Sequence, residues 1–150
     1  MIAMIKAIAK SFTFALRGIL LCIKNERNFR IHIIAIIYVT TFAVFYGLDR
    51  YSFMILFLLF GCMIFAEAVN TAIETVVNMQ TKMYNRFARD AKDMAAGAVL
   101  IFAIIAVIFA FVMFSDPVKL MNIVTVMKEN IIIPIVLLIS IVPSVLFIKK

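Results

Sequence analysis

Tyr51-Ser-Phe-Met-Ile-Leu-Phe-Leu-Leu-Phe-Gly-Cys-Met-Ile-Phe-Ala-Glu67-Ala-Val-Asn70-Thr-Ala-Ile-Glu74 reads as one long apolar helix that ends in polar residues. No charge interrupts it from Phe53 to Ala66, and with its flanks it is long enough to cross about 30 Å of hydrocarbon. Glu67, Asn70 and Glu74 then arrive at spacings of three and seven, which at about 100° per residue return to one face of a helix. An ionisable group inside a bilayer costs roughly 2.5–3.5 kcal/mol even on the lenient insertion scale. A chain that keeps two carboxylates on one stripe is using them.

Composition places this helix in an integral membrane protein. Hydrophobic residues make up 66% of the 150, against about 45–50% in soluble domains, and the mean hydropathy is +1.14. That length allows one helical bundle and no separate soluble domain. A net charge of +7 in such a chain points to cytoplasmic loops and anionic headgroups. No basic motif with interleaved aromatics supports nucleic-acid binding. Cys22 and Cys62 stand alone, which argues against a disulfide or a cysteine metal cluster.

Outward from the central stretch, three further apolar spans emerge, at about 31–48, 94–114 and 131–148, alongside 51–77 itself. Gly47-Leu-Asp-Arg50 reads as a tight turn. Residues 78–93 read as a polar connector, and 115–130 as a nearly charge-balanced loop. The N-terminal segment, about 1–30, is too short of apolar residues for a signal peptide. It places Lys6, Lys10, Arg17 and Lys24 on one face and Ile5, Ile8, Phe12, Leu16, Ile19 and Ile23 on another. That is an amphipathic helix lying in the membrane surface. If it continues unbroken, Glu26 projects onto the face of Ile8 and Ile19 and requires a cation as partner. The expected fold is therefore all-α: a surface helix, three core spans and an additional C-terminal span.

Basic residues concentrate in the N-terminal segment, the 78–93 connector and the terminal Lys149-Lys150. The positive-inside rule puts these on the cytoplasmic side of the cell membrane, together with Glu26, Glu67, Asn70, Glu74, Lys92 and Asp93. Carboxylates gathered beside a lysine where cytosol meets lipid suit metal-assisted phosphoryl transfer. Magnesium takes oxygen ligands, commonly one or two carboxylates plus nucleotide phosphates. A further carboxylate can orient and deprotonate a hydroxyl nucleophile. No Walker loop or GxGxxG sequence is present, so no soluble nucleotide-binding fold is implied.

Three motifs in order, Asn25-Glu26-Arg27-Asn28-Phe29-Arg30-Ile31-His32, Glu67-Ala-Val-Asn70-Thr-Ala-Ile-Glu74 and Ala91-Lys92-Asp93-Met-Ala-Ala-Gly97-Ala-Val-Leu100, resemble the prokaryotic diacylglycerol kinase/undecaprenol kinase family. The resemblance covers about residues 10–114. It implies an ATP-dependent lipid kinase, a homotrimer with sites shared between subunits. By the resemblance, Glu67 is the catalytic base, close to the lipid hydroxyl. Glu26 and Glu74 hold Mg²⁺ and contact ATP, Asn70 contacts substrate, and Lys92 and Asp93 contact nucleotide. Met83-Tyr84-Asn85 corresponds to further nucleotide contacts but matches poorly, and Lys6, Lys10 and Arg17 are headgroup candidates without a firm motif.

Two departures bear on the lipid. His32 stands where proteobacterial diacylglycerol kinases usually carry an acidic residue, and Ala96 where they carry serine. The wording resembles Gram-positive members, which implies undecaprenol as substrate, with diacylglycerol as the alternative. From another class, a proton-coupled transporter would use Glu67 and Glu74 as relay groups near mid-membrane, and a non-catalytic assembly factor would need none of the carboxylates. His32 is expected to be interfacial or hydrogen-bonded rather than catalytic. Ala95-Ala96-Gly97-Ala98 is expected to permit close helix packing.

Overall fold

The computed structural model describes residues 1–80 and 85–150, and among these every regular element is an α-helix. In chain order they are α1 (Ile2–Asn25), α2 (Arg27–Tyr46), α3 (Arg50–Gln80), α4 (Arg86–Met113), α5 (Pro117–Glu129) and α6 (Ile132–Lys149). Four of them, α2, α3, α4 and α6, are long and apolar enough to cross a membrane. The expected all-α membrane fold, with one N-terminal helix and four spans, is what the chain adopts.

Little of this chain is buried against itself. Ile5, Ile8, Phe12, Leu16 and Ile19 on α1 are all about half exposed or more, so most of its apolar face is left uncovered by the described residues. A helix of that kind lies in the membrane interface with the apolar face in lipid. The long spans likewise present Leu, Ile, Val and Phe outward, because hydrocarbon solvates such side chains as well as a protein core does.

The interior is a helix pair with additions. Helices α3 and α4 form the most extensive contact, α2 packs on α3, and α1 touches both α2 and α3. Helix α6 packs along α2, held by the Tyr38 hydroxyl, which lies 2.7 Å from Ser140 Oγ and 3.3 Å from Ser144 Oγ. Within the Ala95–Ala98 run the small residues divide. Ala95 is buried, whereas Ala96 and Ala98 are exposed and a Cβ on Gly97 would meet open space. Close packing is thus confined to Ala95.

At one end of the bundle the turns are set locally. Gly47 closes α2 in the left-handed conformation, φ 69° and ψ 46°, where a side chain is disfavoured sterically. Asp49 then caps α3, its Oδ1 accepting from the backbone N–H groups of Tyr51 and Ser52. Tyr46 anchors the same end: its ring meets Phe114 edge-on at 5.1 Å between centroids, and its hydroxyl accepts from the Asp116 N–H at 2.9 Å.

Two stretches differ from expectation. Residues 117–129, read as loop, form α5. Asp116 caps it by accepting from the N–H groups of Val118 and Lys119, and Pro117 stands in its first turn, where a missing N–H has no consequence. Ile123 gives it one buried anchor. Secondly, the N-terminal helix stops at Asn25. Glu26 is extended, φ −106° and ψ 116°, and residues 27–30 belong to the first spanning helix. Glu26 therefore sits at a joint between two helices instead of on the inward face of one.

Candidate functional site

The central carboxylate stripe comes from the middle of α3. Glu67 lies about 25 Å along the helix from Arg50, at 1.5 Å per residue. That places it near the far edge of roughly 30 Å of hydrocarbon, with Glu74 two turns further out. The next element supplies the other wall. The α1–α2 joint brings Glu26, Asn28 and His32 against the same face of α3.

Glu67 is 2% exposed and Asn70 7%. A buried ionisable side chain requires polar company, and the chain provides it on three sides. Asn28 is a polar neighbour of the Glu67 carboxylate, and Glu26 and Glu74 lie near enough to act on it as charges of like sign. His32 Nε2 stands 4.0 Å from Glu67 Oε2, within ionic range but beyond hydrogen-bond distance. Asn70 Nδ2 donates to Glu74 Oε1 at 3.2 Å, which fixes the amide orientation. Asn70 Oδ1 and Thr71 Oγ1 are buried with no partner among the described residues. Glu67, Asn70 and Glu74 thus share one face of α3, with Glu26 near enough to act on the Glu67 carboxylate. Such a group draws in a cation or a hydroxyl.

Just above this cluster, an apolar cleft of about 280 Å³ opens between α2, α3 and α4, with His32 as the polar side chain among its walls. A second, larger crevice runs between α1 and α3 and includes Glu26, Cys22 and Thr71 in its lining. The first borders the Glu67 neighbourhood through His32 and the second through Glu26.

Residues 13–114 match the prokaryotic diacylglycerol kinase family. The chain belongs to the prokaryotic diacylglycerol kinase family. It is similar to the undecaprenol kinase of Bacillus subtilis, 42% identical over 105 residues that cover 70% of this chain and 85% of that protein. The diacylglycerol kinase of Synechocystis is 39% identical over 65% of this chain and 57% of its own length. That of Escherichia coli is 31% identical over 67% of this chain and 83% of its own. This prokaryotic diacylglycerol kinase family member is a multi-pass membrane lipid kinase, and ATP is its phosphoryl donor. The proton-relay and assembly-factor readings are thereby replaced.

In this kinase the residues singled out in the sequence do not all converge. Glu26, Glu67, Asn70 and Glu74 do. Lys92, on α4, donates instead to Asn78 Oδ1 at 2.7 Å, one turn beyond Glu74. Asp93 is mostly exposed and stands 3.6 Å from Arg89 on its own helix. Of the connector residues, Met83 and Tyr84 lie outside the described part of the chain, and Asn85 caps α4 by accepting from the Phe87 N–H. Asn28, Arg30 and Asn78 are polar residues of this neighbourhood that helical periodicity does not single out. Asn28 and Arg30 stand inside the first motif, so periodicity across the helix break was the missing signal.

Proposed function

We propose that this lipid kinase phosphorylates undecaprenol, using ATP and Mg²⁺ on the cytoplasmic side of the cell membrane. The observation that carries the site reading is the buried Glu67 carboxylate, with Asn28, Glu26 and Glu74 as polar neighbours and His32, which lines an apolar cleft, 4.0 Å away. Preference for the polyprenol is supported by 42% identity to an undecaprenol kinase against 31% to the Escherichia coli diacylglycerol kinase. A diacylglycerol acceptor is the second reading, favoured by the Synechocystis relative at 39%.

The chemistry follows from the side chains. Glu67 accepts the proton of the lipid hydroxyl as its oxygen bonds to the γ-phosphorus and the bond to the β-phosphate oxygen breaks, releasing ADP. Asn70 donates to Glu74 and keeps that carboxylate in place, leaving its unpaired Oδ1 to accept from a further donor such as a metal-bound water. Glu26 and Glu74 would hold Mg²⁺, which neutralises charge on the phosphates. Among the described residues no three His, Cys, Asp or Glu side chains form a metal cage. Two carboxylates are the kind of donor magnesium takes, since it keeps several waters and binds one or two carboxylates with the nucleotide. Lys92 neutralises phosphate charge and Asp93 contacts nucleotide. Each must leave its present partner to do so, Asn78 for Lys92 and Arg89 for Asp93. The working unit in this reading is a homotrimer with sites shared between subunits.

Purified protein given labelled ATP with undecaprenol and diacylglycerol in parallel should transfer label preferentially to undecaprenol. Equal or greater transfer to diacylglycerol would replace the first reading with the second.

A further inference from the structure

One side chain holds the break between α1 and α2. Arg30, 7% exposed, stands in the first turn of α2 and reaches back across the joint. Its Nη1 donates to the carbonyl oxygens of Ile23 and Lys24, each at 2.9 Å. Its Nη2 donates to the carbonyl oxygen of Ile148 at 3.4 Å. These acceptors belong to the last turns of α1 and α6, whose carbonyls have no partner within their own helices. The cation also meets the negative dipole ends of both helices. A planar fork of donors suits that double task, and a lysine ammonium does not.

The same guanidinium therefore ties three helices together, and one of them is the additional span. Helix α6 lies beyond residue 114, where the match to the family ends. It is fastened to α2 at two levels, at Arg30 and, about 12 Å further along α2 at 1.5 Å per residue, at Tyr38 through Ser140 and Ser144. Glu26 sits in the gap that Arg30 bridges. Its carboxylate caps neither flanking helix, so its place follows the course of the backbone through the joint.

We propose that α6 is a positioning element for the reaction site. By holding Arg30 from one side it fixes the α1–α2 joint, and with it the approach of Glu26 to Glu67 and Glu74. This rests on the reading of Glu26 as a metal-holding residue. Arg30 is a positioning residue that acts through Glu26.

The test uses the full chain in a Cys62→Ala background, with three further variants: Arg30→Lys, Tyr38→Phe with Ser140→Ala and Ser144→Ala, and Glu26→Gln. Two quantities are read, the Mg²⁺ concentration for half-maximal activity and the rate at which a hydrophilic maleimide alkylates Cys22 in the last turns of α1. Arg30→Lys should raise the Mg²⁺ requirement about tenfold, the usual size of a lost supporting contact around a metal, with KM for lipid unchanged. The α6 triple variant should raise it roughly threefold, the size of one interhelical hydrogen bond in a membrane. Adding it to Arg30→Lys should raise it no further, because both act through one joint. Neither variant changes the charge near Cys22, so faster alkylation in both reports a loosened joint. Wild-type alkylation and Mg²⁺ dependence in the triple variant would overturn the proposal, as would additive effects. Should alkylation accelerate while Glu26→Gln leaves the Mg²⁺ requirement unmoved, the joint is held as proposed and the metal role of Glu26 is what fails.

Discussion

Glu67 is the residue on which the chemistry turns, and its surroundings say why it was recognisable in part. A carboxylate in an apolar helix is visible in any sequence. That it faces Asn28 and His32 from another helix is not, because the intervening break at Glu26 changes the direction of the chain. Replacing Glu67 with Gln preserves shape and removes the proton acceptor. Label transfer to lipid should fall by at least about a hundredfold, the low end for losing a general base, while nucleotide binding measured by equilibrium dialysis should persist. Full activity would remove Glu67 from that role. Cys22 offers a second measurement at this scale. Partial burial, and then the nearby charge of Glu26, hold its thiol above the usual range. A raised pKa favours the neutral thiol, so alkylation should be slow at neutral pH and accelerate only as pH rises past the ordinary thiol range. Glu26→Gln lowers the pKa and should speed alkylation at a given pH. An unchanged rate profile would show that the two groups do not interact.

At the level of elements, the helix boundaries follow local rules that a sequence carries. Gly47 ends α2 because its left-handed backbone suits no side chain well, and a Cβ there meets no neighbouring atom. Gly47→Ala should therefore destabilise the fold by about 1–2 kcal/mol through backbone conformation alone, measured as a lower midpoint of thermal unfolding in detergent. A loss of activity at unchanged stability would contradict this, since the turn stands at the opposite end of α2 from Glu26. Helix α5 was legible in retrospect from Asp116-Pro117, a cap followed by proline in the first turn. Charge balance concealed it, since a short amphipathic helix and a polar loop share the same composition. The Ala95–Ala98 run shows the converse: small residues permit close approach, yet Ala95 is buried while Ala96 and Ala98 stay exposed.

For the whole molecule, the arrangement of the candidate residues is uneven. Glu26, Glu67, Asn70 and Glu74 gather within one chain, whereas Lys92 is engaged by Asn78 and Asp93 faces Arg89. The exposed apolar faces of α3 and α4 leave room for other copies of the chain. If the working unit is a trimer whose sites combine carboxylates of one subunit with the Lys92 region of another, inactive Glu67→Gln and Lys92→Ala proteins should regain measurable activity when unfolded, mixed and reassembled together. Failure to regain any, with each variant separately able to assemble as judged by cross-linking, would confine both residues to one subunit.

The number of spans, the amphipathic character of α1, the carboxylate stripe and the family are all written along the chain, because hydrophobic length, helical period and motif spacing are properties of residues taken in order. Tertiary structure alone decided which of the polar residues meet. The α1–α2 joint, Arg30 bridging the ends of α1 and α6, and Asn28 facing Glu67 depend on the angle at a single extended residue and on contacts as far as 118 positions apart. No local period encodes such contacts; they form only where packing brings unsatisfied carbonyls and a buried cation to the same place.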